Sequence, residues 1–262
     1  MEIRPGVDLA NLTDVGCERE NNEDYYCYAE PEDDEIYAKR GRLAVIADGM
    51  GGYEGGQFAS RIAVESVRAA YLKDPEQDPV EALLEGFRLA HLEILGKAKE
   101  DPGLEGMGTT CTAAAILGSN LIYAHIGDSR LYLIRGSEIT QISHDHSYVN
   151  KLLEAGMITP EEAKVHPQRN VLMMALGARG QVRADCPSDP LPLRPGDTLL
   201  LCTDGLSGLV ANEEMQKAVT GMPLTQACKE MIDLAKSRGG YDNITVQLLR
   251  LAANDLKKTS AE

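Results

Sequence analysis

The chain has 262 residues, 43% of them hydrophobic and 26% charged, and a formal net charge of −15. That length holds one large domain or two small ones, with material for a sizeable core, and the composition is that of a soluble globular protein. The acidic balance excludes long-range attraction to nucleic acid or anionic lipid, and no apolar run approaches the roughly 18 residues that span a bilayer.

The opening MEIRPGVDLANL has neither a basic n-region nor an apolar h-region, so no signal peptide and a cytoplasmic location are expected. Strand candidates follow in order: GVDLANLTDVG (6–16), YYCYA (25–29) and RLAVIADG (42–49). Each is short, rich in β-branched, aromatic or leucine residues, and bounded by turn formers. Between the second and third lies the acidic stretch Glu30 to Gly41, which reads as a solvated hairpin connection. From Glu54 to Tyr71 the residues Phe58, Ala59, Ile62, Ala63, Val67 and Ala70 fall on one helical face. A second helix starts at Asp78, with Pro79 in its first turn and Glu81 in a box-like position. Its stripe is Val80, Leu83, Leu84, Phe87, Ala90, Ile94 and Leu95.

Residues 115–143 read as a meander of three or four strands, turning at Gly118-Ser119-Asn120, Gly127-Asp128-Ser129 and Gly136-Ser137. Turns that short demand antiparallel pairing. TLLLCTDG (198–205), a helix over 224–236 and NITVQLLRL (243–251) complete the set. Without βαβ alternation, the pattern predicts an α+β fold of mainly antiparallel sheets, two of them packed face to face under helices. The six cysteines, Cys17, Cys27, Cys111, Cys186, Cys202 and Cys228, are scattered, as expected for reduced, mostly buried thiols. None has an Arg six residues on, so a cysteine-nucleophile phosphate cradle is missing.

Four acidic residues share one setting. Asp48, Asp128 and Asp204 end strand candidates, and Asp242 stands just before one. Antiparallel neighbours bring such positions to a single sheet edge. Glu23 and Asp24 precede another strand. Converging carboxylates repel one another unless protonated or neutralised, and hard divalent cations with all-oxygen ligands are the usual answer. Two such ions can deprotonate a bridging water and orient it for in-line attack on phosphorus. Arg19, just upstream, is the candidate phosphate fork. His144 and His146 read as loop residues. A Gly-Asp-Ser esterase reading, with Ser129 as nucleophile, lacks a downstream Asp-x-x-His partner.

RENNED, VIADGMGG, GTTCTAAAI, AHIGDSRLYLIR, DHSYVNKLLEAGMIT, HPQRNVLMMALG, LLLCTDGLSGLV and YDNITV occur in the order of the metal-dependent type 2C protein phosphatases. The chain resembles their bacterial serine/threonine branch from about Asp8 to Leu251. The resemblance implies a four-layer α-β-β-α sandwich, one catalytic domain over 1–252, a flap at about 146–176 and a polar tail at 253–262. It implies hydrolysis of phosphoserine and phosphothreonine in proteins with two core Mn2+ or Mg2+ ions and a weaker third. Asp48 would bridge the core ions, the Gly49 carbonyl would bind one, and Asp204 and Asp242 would complete the other. Asp24 would act through metal-bound water with support from Glu23. Asp128 would hold the third ion with Asp204, and Arg19 would bind the substrate phosphate. Phosphoproteins, a Ser/Thr kinase and its targets among them, are the implied partners of a monomer. Where relatives often carry histidines this chain has Met50 and Tyr53, so leaving-group protonation falls to metal-bound water or Tyr53. A member that had lost its ligating aspartates would be a phosphoprotein adaptor; here Asp48, Asp204 and Asp242 are all present.

Overall fold

The computed structural model describes residues 3–51, 54–180 and 182–252. Its strands form two sheets, and every pairing in them is antiparallel. The first sheet contains β1 (Val7–Asp14), β7 (Arg130–Arg135), β8 (Glu138–Gln141), β10 (Thr198–Cys202) and β11 (Ile244–Leu251), in the order β1-β11-β10-β7-β8. The second contains β2 (Asp24–Ala29), β3 (Arg42–Met50), β5 (Cys111–Leu117), β6 (Asn120–Ile126) and β9 (Leu191–Pro192), in the order β2-β3-β5-β6-β9, with β4 (Gly108–Thr109) pairing the end of β3.

Alternation along the strands builds three apolar layers. On β3, Leu43, Val45 and Ala47 face α2 (Gly55–Lys73) and α3 (Pro79–Glu100). Ala44 and Ile46 point the other way and meet Leu131, Leu199, Leu201 and Leu249 of the first sheet. On β11, Val246 and Leu248 lie under α7 (Asn212–Gly221) and α8 (Leu224–Ser237). The result is the expected four-layer α-β-β-α sandwich. Among the described residues no helix is long and apolar enough to cross a membrane, and all six cysteines are free thiols.

Three expectations need correction. The stretch after Glu30 is not a solvated hairpin connection: it contains the helix α1 (Asp34–Arg40), capped by Asp33, whose side chain accepts from the amides of Glu35 and Ile36. Acidic residues in its first turn and basic ones in its last complement the helix dipole. Several of its charges are inside. Arg40 is wholly buried and donates to the carbonyls of Asp74 and Gln77, and Glu30 pairs with buried Arg42 at 3.3 Å.

The meander is broken. β5 pairs β6 and β7 pairs β8, but β6 and β7 lie in different sheets. Gly127-Asp128-Ser129 therefore crosses the sandwich instead of turning a hairpin. Gly127 has φ 105°, and a Cβ there would sit 2.5 Å from Thr110, so only glycine lets the chain make this crossing.

Phe58 is 47% exposed and Leu84 36%. On α2 the expected Ala59, Ala63, Val67 and Ala70 are buried, and Val64 and Tyr71 complete the face in place of Phe58. Residues 146–176, expected to form a flap, carry two short helices, α4 (Tyr148–Glu154) and α5 (Pro160–Lys164), which strand and helix patterns in the sequence did not mark. The base of this segment is closed by Tyr148 N–H on Val171 O and Met173 N–H on His146 O, both 2.8 Å.

Candidate metal centre and active site

The strand pattern that builds the core also aims the carboxylates. Asp48 has the parity of Ala44 and Ile46, so it continues the inner face of β3 past the end of the apolar layer. It sits inside the strand, which runs on to Met50, and not at its end. Its direct partner across the β2–β3 ladder is Asp24, the first residue of β2. The backbone of Asp48 is pinned on its other side. Its N–H donates to Thr110 Oγ1 at 2.9 Å, and its carbonyl accepts from Thr110 N–H at 2.9 Å and Thr109 Oγ1 at 2.8 Å.

The first sheet supplies the facing wall. Asp204 opens the short helix α6 (Asp204–Ser207) just past β10. Asp242 stands two residues before β11, and its Oδ1 accepts Asn243 N–H at 2.8 Å. Asp128 lies on the crossover between the sheets, two residues beyond β6. The structure thus brings Asp24, Asp48, Asp128, Asp204 and Asp242 to one edge of the sandwich. Arg19 joins them, its Nη2 2.8 Å from Asp242 Oδ2.

Their mutual electrostatics are unfavourable as they stand. Burial raises Asp48 well above the usual carboxylate range, and Asp24, Asp204, Asp128 and Asp242 push it further. Burial, then the charges of Asp204 and Asp145, lift Asp128 to about 8. Asp24 is pushed up to about 7 by burial, against the pull of hydroxyls from Thr245 and Thr203 at 2.6 and 2.9 Å on its Oδ2. Asp204 is raised by burial and by Asp242, with a hydrogen bond to Asp48 opposing. Two buried oxygens, Asp24 Oδ1 and Asp204 Oδ1, have no protein partner. From Asp128 and Asp204 a cleft of about 520 Å3 runs outward between the α4–α5 segment and the α6–α7 connection, past Arg130, Arg169 and Tyr241.

The family model described as protein phosphatase 2C matches residues 28–249. The chain belongs to the protein phosphatase 2C family. It is 40% identical over 257 residues to protein phosphatase PhpP of Streptococcus pneumoniae, covering 95% of this chain and 99% of that one. The crystal structure of the Mycobacterium tuberculosis serine/threonine phosphatase PstP/Ppp superposes with a TM-score of 0.83 at 36% identity, over 94% of this chain and 99% of that one. A structure of the PstP catalytic domain in complex with two manganese ions gives 0.81 at 34% identity, covering 94% and 99%.

In this family member the Gly-Asp-Ser sequence is no esterase nucleophile. Ser129 is fully buried, and its hydroxyl pairs with Thr110 Oγ1 at 2.7 Å. His144 is a loop residue on Glu154. His146 is buried and structural: its Nδ1 accepts Gly127 N–H, and its Nε2 faces Asp185 at 3.0 Å. Gly49 has a steric reason to be bare, because a Cβ would lie 2.0 Å from Gly56 O and 2.7 Å from Glu23 O. Gly56 in turn is bare because the Glu23 carboxylate occupies the space of its Cβ, 2.7 Å away. Met50 ends β3 opposite Gly108, while Tyr53 and the tail 253–262 lie outside the described residues.

Sequence reasoning passed over Thr203, Thr245 and Asn243. Asn243 accepts Glu23 N–H at 2.7 Å and donates to the carbonyls of Val15 and Asn21 at 2.9 Å, so it holds both ends of the loop bearing Arg19. The signal was present: Thr245 is a polar residue on the inward parity of β11, and Thr203 and Asn243 continue that inward parity just beyond β10 and before β11. Among the described residues no three His, Cys, Asp or Glu side chains converge tightly enough to cage an ion alone.

Proposed function

We propose that this chain is a metal-dependent protein phosphatase that hydrolyses phosphoserine and phosphothreonine in proteins, acting as a monomer opposite a Ser/Thr kinase. One observation carries the reading: five carboxylates from both sheets meet at one edge, with Asp24 Oδ1 and Asp204 Oδ1 buried and unpartnered. Such a cluster is tenable at neutral pH when cations replace the missing protons. A donor set of carboxylates and carbonyls, all oxygen, suits Mn2+ or Mg2+, hard cations that keep water among their ligands. The two manganese ions of the PstP catalytic domain support the same choice.

Asp48 would be shared between two ions, with the Gly49 carbonyl on one and Asp204 and Asp242 on the other. Asp24 and Asp128 would serve the outer positions, Asp128 with Asp204 at a weaker third. When bound, a metal pair supplies water acidified toward neutral pH and charge neutralisation at the phosphoryl oxygens. The chain's own residues do the rest. The β3 register fixes Asp48, the ladder fixes Asp24 against it, and Arg19 carries a guanidinium that can exchange Asp242 for a phosphoryl oxygen. Glu23, wedged against Gly56 at the start of α2, keeps the loop bearing Arg19 and Asp24 in place.

The test is hydrolysis of p-nitrophenyl phosphate and of a phosphothreonine peptide with Mn2+ and with EDTA. Turnover is expected only with metal, and Asp48→Ala and Asp204→Ala are expected to remain folded and inactive. Full activity of Asp204→Ala would overturn the assignment of the ligands, and metal-independent turnover would overturn the reading itself.

A further inference from the structure

We propose that a closed ring of hydrogen bonds through Asn22, Thr13, Thr245 and Asp24, braced by Thr203, is a positioning device that presents one chosen oxygen of Asp24 to the metal site. The inference rests on the functional reading above. The Asn22 Nδ2 donates to Thr13 Oγ1 at 2.8 Å. Thr13 and Thr245 face each other directly across the β1–β11 ladder, their hydroxyl oxygens 2.7 Å apart. Thr245 Oγ1 reaches Asp24 Oδ2 at 2.6 Å. The ring closes on the residue where it ends, because Asn22 Oδ1 accepts the backbone N–H of Asp24 at 3.1 Å.

The direction of every link follows from what each group can do. A backbone N–H only donates, so the Asn22 atom facing it is the carbonyl oxygen, and the amide NH2 must face Thr13. In the ionised form that binds a cation the Asp24 carboxylate only accepts, so there Thr245 donates to Asp24 and its own oxygen is left to accept from Thr13. Both hydroxyl hydrogens are thereby assigned, and all donors run toward one carboxylate oxygen. Aligned donors ending on a charge strengthen one another. Thr203, fully buried, adds a second donor to the same oxygen at 2.9 Å and accepts Thr245 N–H at 3.0 Å.

Asp24 is consequently asymmetric. Its Oδ2 takes two hydroxyl donors, while its Oδ1 is buried with none. Rotating the carboxylate would break two charge-assisted bonds and release a ring anchored on three strands and a loop. Thr13, Asn22 and Thr245 therefore serve the site without belonging to it: they decide which lone pairs remain for a ligand and hold them still. Metal sites depend on such outer contacts almost as strongly as on the ligands themselves.

The experiment is Mn2+ titration calorimetry on the full chain, with the thermal midpoint in EDTA recorded for each variant. Thr245→Val removes the hydroxyl at nearly constant shape, Thr245→Ser keeps it, and Thr13→Val breaks the ring one link further out without touching Asp24. Thr245→Val is expected to weaken Mn2+ binding about 10–100-fold, Thr13→Val to weaken it less, and Thr245→Ser to stay within about twofold of the native chain. Turnover on p-nitrophenyl phosphate should fall in kcat, with KM unchanged. A native isotherm for Thr245→Val would overturn the proposal. So would equal losses in the valine and serine variants, which would mark a packing effect. Should Thr245→Val not fold, the Thr13→Val isotherm decides alone: weakened binding supports the ring and native binding overturns it. A native chain that neither takes up Mn2+ nor hydrolyses the ester would remove the functional reading, and the inference with it; native binding in the variants alone removes only the inference.

Discussion

Asp24 and Asp48 are direct partners across the β2–β3 ladder, two carboxylates on one face of one sheet. Like charges placed opposite each other on a ladder destabilise it, so this pair costs the fold something that function must offset. Asp48→Asn should therefore raise the stability of the metal-free chain by about 1–3 kcal/mol while nearly abolishing turnover. Denaturation in EDTA, set beside p-nitrophenyl phosphate hydrolysis with Mn2+, reads both. A variant less stable than the native chain would contradict the repulsion.

The raised carboxylates predict a pH dependence with a definite sign. Asp24 at about 7, Asp128 at about 8 and the elevated Asp48 hold protons in the folded, metal-free chain that the unfolded chain has released. Between pH about 4 and 8 the folded state thus binds more protons, and its stability falls as pH rises. The contribution is complete below about 4, the unfolded value, and is gone once pH passes the folded values. Bound Mn2+ replaces those protons and removes the penalty. The gap between Mn2+-loaded and metal-free midpoints should widen steadily from pH 5.5 to 8. A constant gap across that range would refute the account.

Arg19 and Asp242 form a partly exposed pair, half of the arginine side chain being open to solvent. A pair of that kind contributes under about 1 kcal/mol to stability. A charge-assisted contact to a substrate phosphate is worth about 1.5–3 kcal/mol. Arg19→Ala should leave the melting temperature nearly unchanged and raise KM for a phosphopeptide about tenfold or more. An unaltered KM would take Arg19 out of the phosphate site.

Two glycines separate steric from chemical roles. Gly49→Ala puts a Cβ 2.0 Å from the Gly56 carbonyl, which is backbone, and Gly56→Ala puts one 2.7 Å from the Glu23 carboxyl, which is a side chain that can swing away. Gly49→Ala should cost about 3 kcal/mol or more, and Gly56→Ala about 1–2 kcal/mol with weakened Mn2+ binding as Glu23 is displaced. Chemical denaturation and calorimetry give the ranking, and a more damaging Gly56→Ala would reverse the argument.

What could be read in the sequence, and what could not, follows from the range of the interactions. The carboxylate positions are local facts, since an apolar strand run interrupted by Asp-Gly announces itself even where, as at Asp48, the strand continues beyond it, and register then brings Asp24 beside Asp48. The three apolar layers follow from alternation alone. The break at Gly127 is not local. A two-residue hairpin and a crossing between sheets use the same Gly-Asp-Ser, and only the position of Thr110 and the neighbouring sheet decide between them. The helix after Glu30 was hidden by its charges, because a run of acids is normally wet and Arg40 is not. Thr203 and Thr245 were legible in principle, as hydroxyls on an apolar parity, but their partner lies some 180 to 220 positions away in the chain.

The two walls of the cleft belong to different sheets, and the packed layer between the sheets runs from Ile46 and Ala44 on one side to Leu201, Leu199 and Leu249 on the other. Facing sheets stand about 10 Å apart, a distance set by the side chains between them. These aliphatic residues therefore act as a gauge block for the chemistry above them. Enlarging or shrinking one changes the spacing of Asp48 from Asp204 without altering any charged group, so mutations that look like ordinary core repairs will behave as adjustments of the active site.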